Sequence, residues 1–154
     1  MTGNAAPPSR LANRIAVITG ASRGLGAAVA RRLAAEGARV VLVARTQGAL
    51  EQVDDAIQAA GGERAVLAPF DLTEPANIDR LGQAIFERFG KLDMLVASAA
   101  MLGVLSPLGH IEPALWDQVI QTNLTANWRL IRSLDPLLRL SDAGRAVFVT
   151  AGQA

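Results

Sequence analysis

The sequence predicts a doubly wound α/β fold, a parallel sheet covered by helices on both faces. Three observations carry this. Short apolar runs alternate with longer segments of helical spacing along the whole chain. The runs are continuous in apolar residues, as strands buried on both faces are. The first run passes into the first helical segment through a glycine-rich turn, "TGASRGLG" at 19–26, the junction expected in a βαβ unit.

The elements follow in order. "RIAVIT" (14–19) reads as a buried strand. Residues 24–37, "GLGAAVARRLAAEG", are rich in the helix formers Ala and Leu, and Gly37 stops them. "RVVLVA" (39–44) is a second, β-branched strand. Over 46–60, Leu50, Val53, Ile57 and Ala60 keep to one helix face, which Gly61 and Gly62 end. "RAVLAPF" (64–70) is a third strand. The helix at 74–89 carries Pro75 in its first turn, where a missing N–H costs nothing. "LDMLVAS" (92–98) is a fourth strand. A long helix follows from about Pro113 to Leu138, on which Trp116, Val119, Ile120, Asn123, Asn127, Leu130, Ile131 and Leu134 form one stripe expected to be buried. "RAVFVTA" (145–151) is a fifth strand. The organisation expected is a flexible arm over 1–12, rich in Pro, Gly, Ser and Asn, and one domain over 13–154. In open sheets of this kind ligands bind beyond the carboxyl ends of the strands, so the candidates lie just after each strand.

Composition narrows the function. The chain has 154 residues, enough for one domain with a core. It is 51% hydrophobic and 19% charged, the balance of a soluble globular protein. The net charge of +1, with no basic run among aromatics, argues against a nucleic-acid partner. With no cysteine, disulfides, thiolate metal sites and cysteine nucleophiles are excluded, and no metal site is expected. The start has no apolar signal-like core, and the stretch around "MLVASAAMLGVL" is too short to span a bilayer. A cytoplasmic protein without a membrane anchor is expected.

Gly20, Gly24 and Gly26 join the first strand to the first helix. A helix start offers unpaired N–H groups and a positive dipole end, and glycines let the backbone approach a diphosphate. The turn is therefore a nucleotide site, or else a plain βα turn. No acidic side chain follows the second strand to hold a ribose 2′-hydroxyl. Arg45 stands there, and Arg23 lies inside the glycine turn. The two suit a 2′-phosphate, or are solvated surface groups. Asn123 and Asn127 lie on the stripe expected to be buried, where an unsatisfied amide costs about 1–3 kcal/mol. Each therefore needs a hydrogen-bond partner, which a neighbouring backbone would supply while bending the helix.

Taken in order, several motifs resemble the short-chain dehydrogenase/reductase family. They are Thr19-Gly20-x-x-x-Gly24-x-Gly26, "DLT" (71–73), "KLDMLVASAA" (91–100), Asn123-Leu124 and "GRAVFVTAG" (144–152), and they cover nearly all of the chain after residue 12. The resemblance implies a Rossmann-like sheet of order 3-2-1-4-5. It implies a cofactor site at Gly20, Ser22, Arg23, Gly24, Leu25, Gly26, Arg45, Asp71, Leu72 and Ala97. There Asp71 would meet the adenine amino group with Leu72 beside the ring, unless Asp71 only caps the next helix. The two arginines point to NADP(H) rather than NAD(H). Asn123 would be catalytic, holding a water of the proton relay. The reaction implied is hydride transfer between NADP(H) and a small carbonyl or alcohol substrate, by a protein that forms homo-oligomers.

The chain also departs from that family. The family uses Tyr-x-x-x-Lys and a serine to handle the proton and orient the carbonyl, yet this sequence holds no tyrosine. Its one lysine, Lys91, precedes the fourth strand, at the end of the sheet away from the ligands. The serine position aligns with Ala151, beside Thr150, and the family's Asn-Asn-Ala-Gly stretch appears as Ala97-Ser98-Ala99-Ala100. The family's last strands and helices are expected to be missing, which would leave Val147, Phe148 and Val149 on an edge strand that invites pairing with another chain. His110, on the ligand side, would touch substrate or act as an acid, or merely bond locally. Three functions follow: an NADP-dependent dehydrogenase or reductase, inactive over these residues alone; a non-catalytic nucleotide-binding or assembly module; and another nucleotide user, such as a nucleotide-sugar or flavin binder.

Overall fold

The computed structural model describes residues 9–151. Five parallel strands form one sheet, β1 (Ile15–Thr19), β2 (Arg39–Ala44), β3 (Val66–Pro69), β4 (Met94–Ala97) and β5 (Arg145–Phe148), in the order β3-β2-β1-β4-β5. Helices α1 (Gly24–Ala35), α2 (Gln47–Ala59) and α3 (Pro75–Phe89) connect the first four strands. Between β4 and β5 lie a 3-10 turn at Leu108–His110, helix α4 (Pro113–Ile120), a π-helical turn at Gln121–Thr125 and helix α5 (Ala126–Arg139). The expected strand order is observed. β2 matches its apolar run at 39–44 while the other strands are shorter than theirs, and the ladder of the run at 145–151 reaches Phe148.

Alternation along each strand builds two cores. Val17, Val41, Val43 and Leu95 pack against Ile78, Leu81 and Ile85 of α3 and Leu130, Leu134 and Leu137 of α5. Ala16, Ile18, Val40 and Leu42 face Ala27, Ala30 and Ala34 of α1 and Leu50, Val53 and Ile57 of α2. The reversal of strand order falls between β1 and β4, which pair Thr19 with Ala97. The segments after these two strands therefore flank the ligand crevice such sheets possess.

The long helix departs from expectation. Leu130 and Leu134 of its stripe are buried, but Trp116 and Ile131 are 48% and 46% exposed. For Trp116 the π turn is the cause: one extra residue shifts the face by roughly 100°, so positions counted at α spacing through 116–120 do not continue the face of Leu130 and Leu134. Of the arm expected over 1–12, residues 1–8 lie outside the described residues. Residues 9–12 form a turn at the end of α1, where Ser9 Oγ and the Leu11 N–H both donate to the Glu36 carbonyl, each at 2.8 Å.

At the amino ends of the strands, Asp93 is 1% exposed. Its Oδ1 accepts from Ser141 Oγ (2.6 Å), Arg14 Nη1 (2.8 Å) and Lys91 Nζ (2.9 Å), and its Oδ2 from the Ile15 N–H (2.9 Å). Arg14 also pairs with Asp142. Burial works to raise the Asp93 pKa, but the hydrogen bonds from Ser141, Ile15, Lys91 and Arg14 hold it well below the usual carboxylate range. One side chain thus joins the starts of β1 and β4 to the α5–β5 turn.

Candidate functional site

β1 ends at Thr19, and the chain turns through Gly20 (φ +65°) to start α1 at Gly24 (φ +53°). A Cβ on Gly20 would lie 2.8 Å from Ala99 Cα, and one on Gly26 would lie 2.3 Å from the Gly20 carbonyl oxygen. These two glycines let the turn, the first helical turn and the segment after β4 close together. Above Gly24 there is open space. Arg23 is the extended N-cap and makes no side-chain cap. The Ala27 N–H is bonded to the Arg23 carbonyl (3.2 Å), so the N–H groups of Gly24, Leu25 and Gly26 lie ahead of the first intrahelical bond. They form a positive, donor-rich end suited to an anion. Leu25 is exposed and Ser22 half-buried beside them.

Thr19 fixes the other wall. Its Oγ1 accepts the N–H groups of Ser98 and Ala99, both at 3.2 Å, while Ser98 Oγ donates to the Thr19 carbonyl at 2.5 Å. Ala97 is buried at the end of β4, and its carbonyl accepts the Val149 N–H (3.0 Å). The signal for Thr19 was a hydroxyl at the end of a fully buried strand, a position that demands a partner.

Arg23 and Arg45 are exposed, and among the described residues neither has a carboxylate within ion-pair reach. Asp71 follows β3, and its Oδ1 accepts the N–H (2.9 Å) and Oγ1 (2.8 Å) of Thr73, an Asx turn that leads into α3. Its carbonyl accepts Asn77 Nδ2 (3.3 Å). The helix cap itself is Glu74, which makes no side-chain bond. Leu72 is buried in the core, so its main chain is what it offers a ligand.

Asn123 sits in the π turn and grips Met101 at both ends of its amide. Oδ1 accepts the Met101 N–H and Nδ2 donates to the Met101 carbonyl, each at 2.8 Å. Asn127 Nδ2 in turn donates to the Asn123 carbonyl at 2.7 Å. Both asparagines therefore bond to backbone where the helix departs from α geometry. Asn123→Ala strands both Met101 groups and is expected to cost about 1–3 kcal/mol. Urea denaturation measures that loss, and faster amide exchange over 98–106 accompanies it if the pair is what holds this segment.

His110 is exposed on the 3-10 turn, and Thr150 and Ala151 are exposed beyond β5. Lys91 pairs with Asp93 at the opposite end of the sheet. Among the described residues no three His, Asp or Glu side chains gather as a metal site, and no helix is long and apolar enough to cross a membrane.

A parallel sheet of this order, with a glycine turn opening at its switch point, defines a Rossmann-like protein. Comparison with known proteins narrows the class. The profile described as short chain dehydrogenase matches residues 14–154. The chain belongs to the short-chain dehydrogenase family.

Its relatives include the uncharacterized oxidoreductase YciK of Escherichia coli (strain K12), 35% identical over 143 residues that cover 92% of this chain and 57% of that protein. Ketoacyl reductase HetN of Nostoc sp. is 35% identical over 141 residues, covering 92% of this chain and 48% of that protein. Among solved structures, a metagenomic short-chain oxidoreductase in complex with NADP superimposes with a TM-score of 0.89 at 38% identity, over 94% of this chain and 65% of that one. The chain thus spans about half to two thirds of the length of these relatives.

Proposed function

We propose that these residues form the cofactor-binding part of a cytoplasmic NADP(H)-dependent dehydrogenase or reductase, whose whole form transfers hydride between the nicotinamide and a small carbonyl or alcohol. The observation that carries this is the uncapped start of α1 at the glycine turn, with Arg23 and Arg45 lacking carboxylate partners among the described residues. The N–H groups of Gly24, Leu25 and Gly26 would hold the diphosphate. Arg23 and Arg45 would hold the 2′-phosphate, and the free oxygen of Asp71 the adenine amino group. Asn123 would act by positioning, holding Met101 and so the segment after β4. The NADP bound by the similar metagenomic enzyme supports the choice of cofactor.

Arg45→Asp is expected to weaken NADPH roughly tenfold to a hundredfold, the worth of one charge-assisted contact of about 1.5–3 kcal/mol. NADH should change little. Calorimetry with both cofactors checks this, and equal losses for the two would sink the 2′-phosphate assignment.

A second reading is favoured by one observation. The 154 residues contain no tyrosine, and the lone lysine is engaged with Asp93. Hydride transfer to a carbonyl needs a proton donor at the oxygen. The polypeptide as it stands would then bind cofactor without turnover, as a nucleotide-binding or assembly module. It would self-associate through β5, whose outer residues are exposed. NADPH oxidation over a panel of ketones and aldehydes, with sedimentation of the same sample, separates the readings.

A further inference from the structure

An apolar groove of about 280 Å³ lies between α3 and β3, lined by Val66, Ala68, Phe70, Leu81, Ala84 and Phe89. Gly82 of α3 packs against Ser133 of α5, and Ser133 Oγ donates to the Ile78 carbonyl (3.2 Å). β3 is the last strand on its side, and Val66, Leu67 and Ala68 are left half-covered.

The rim is cationic. Arg80 and Arg88, two turns apart on α3, both border the groove and are exposed. Among the described residues neither has a carboxylate within ion-pair reach. The Arg88 guanidinium lies over the Phe89 ring, 5.3 Å from its centroid. Arg80 has only a 3.5 Å contact to Asn77 Oδ1, so it is the freer of the two. An apolar trough beside an unpaired guanidinium complements a ligand with a hydrocarbon tail and an anionic, planar head, since arginine meets carboxylate with two parallel donors. The groove leaves room for a hydrocarbon tail beside the guanidinium.

We propose that this groove binds a straight-chain fatty carboxylate of medium length, its tail along β3 and its head on Arg80. None of the residues assigned to the cofactor lines it.

The test titrates the full chain with carboxyl-labelled decanoate and, in parallel, with decanol, followed by NMR below the micellar range. Decanoate is expected to saturate one site and to bind more tightly than decanol. Arg80→Gln should weaken decanoate at least about fivefold, as the loss of a charge-assisted contact does, and leave decanol unchanged. Ala84→Trp, which fills the groove from an exposed position on α3, should remove both. Equal binding of the two probes to the unaltered chain, decanoate binding that survives Ala84→Trp, or no saturable binding overturns the proposal. Circular dichroism melts confirm that the variants fold. Neither position belongs to the crevice, so failure here leaves the nucleotide reading standing.

Discussion

Gly26→Val is expected to abolish measurable NADPH binding and to lower the thermal midpoint sharply, whereas Gly24→Ala does neither to the same degree. The two glycines differ in what surrounds them. A Cβ at Gly26 would lie 2.3 Å from the Gly20 carbonyl oxygen, 2.7 Å from its carbon and 2.8 Å from Ser98 Oγ. Two of those atoms are backbone, in a turn already held between β2 and β4, so nothing can yield without lifting α1 off the sheet. Overpacking of this kind costs about 1–3 kcal/mol or more, and here it also displaces the donors at the helix start. Gly24 faces open space and has only its positive φ (+53°) to defend, a strain of about 1–2 kcal/mol for an L residue. Calorimetry and melting of the two variants side by side decide the matter. A Gly26→Val protein that binds like the unaltered chain would show that the turn does not pack as described.

Asp93→Ala is expected to destabilise the fold by about 3–5 kcal/mol, the cost of breaking a buried ion pair by removing one partner. Against a total of about 5–15 kcal/mol, that removes a large share of the stability. Asp93→Asn should cost less, since its amide oxygen still accepts from the Ile15 N–H or Ser141. The same carboxylate sets an acid limit. Its folded pKa lies below its unfolded one, so its contribution is complete above the unfolded value of about 3.9. It is lost progressively as pH falls from there toward the depressed folded value. Asp142 is shifted in the same direction by its bond to Arg14, but it is exposed and adds little. Urea midpoints between pH 7 and pH 3 should fall for the unaltered chain and stay flatter for Asp93→Asn. Parallel slopes for the two would remove Asp93 from the account.

The doubly wound parallel class was legible because each strand is a short, continuous apolar run set between helical segments, whereas the strand order came with the family resemblance. The glycine turn was legible for a related reason: its demands are local, a positive φ at Gly20 and close approach at Gly26. The polar anchors were not. Asp93 meets Arg14 and Ser141, and Thr19 meets Ser98, across dozens of intervening residues, and no spacing rule in one chain announces such partners. The π turn escaped for the same cause. It exists where Asn123 reaches Met101, so the phase of α4 depends on a tertiary contact. Leu72, which its motif would place beside a ring, is buried in the core.

Thr19 stitches the exits of β1 and β4 to each other through three hydrogen bonds, two with Ser98 and one with Ala99. The sheet side of the crevice is thereby a preset template, and a ligand that lands on it forfeits little conformational entropy there. Among the described residues, adjustment is expected from 101–112, a flank outside strands and α-helices that the Asn123 amide fastens at Met101. Slow steps in the exchange of ligand with solvent therefore belong to that segment, and relaxation dispersion of its amides is where they register.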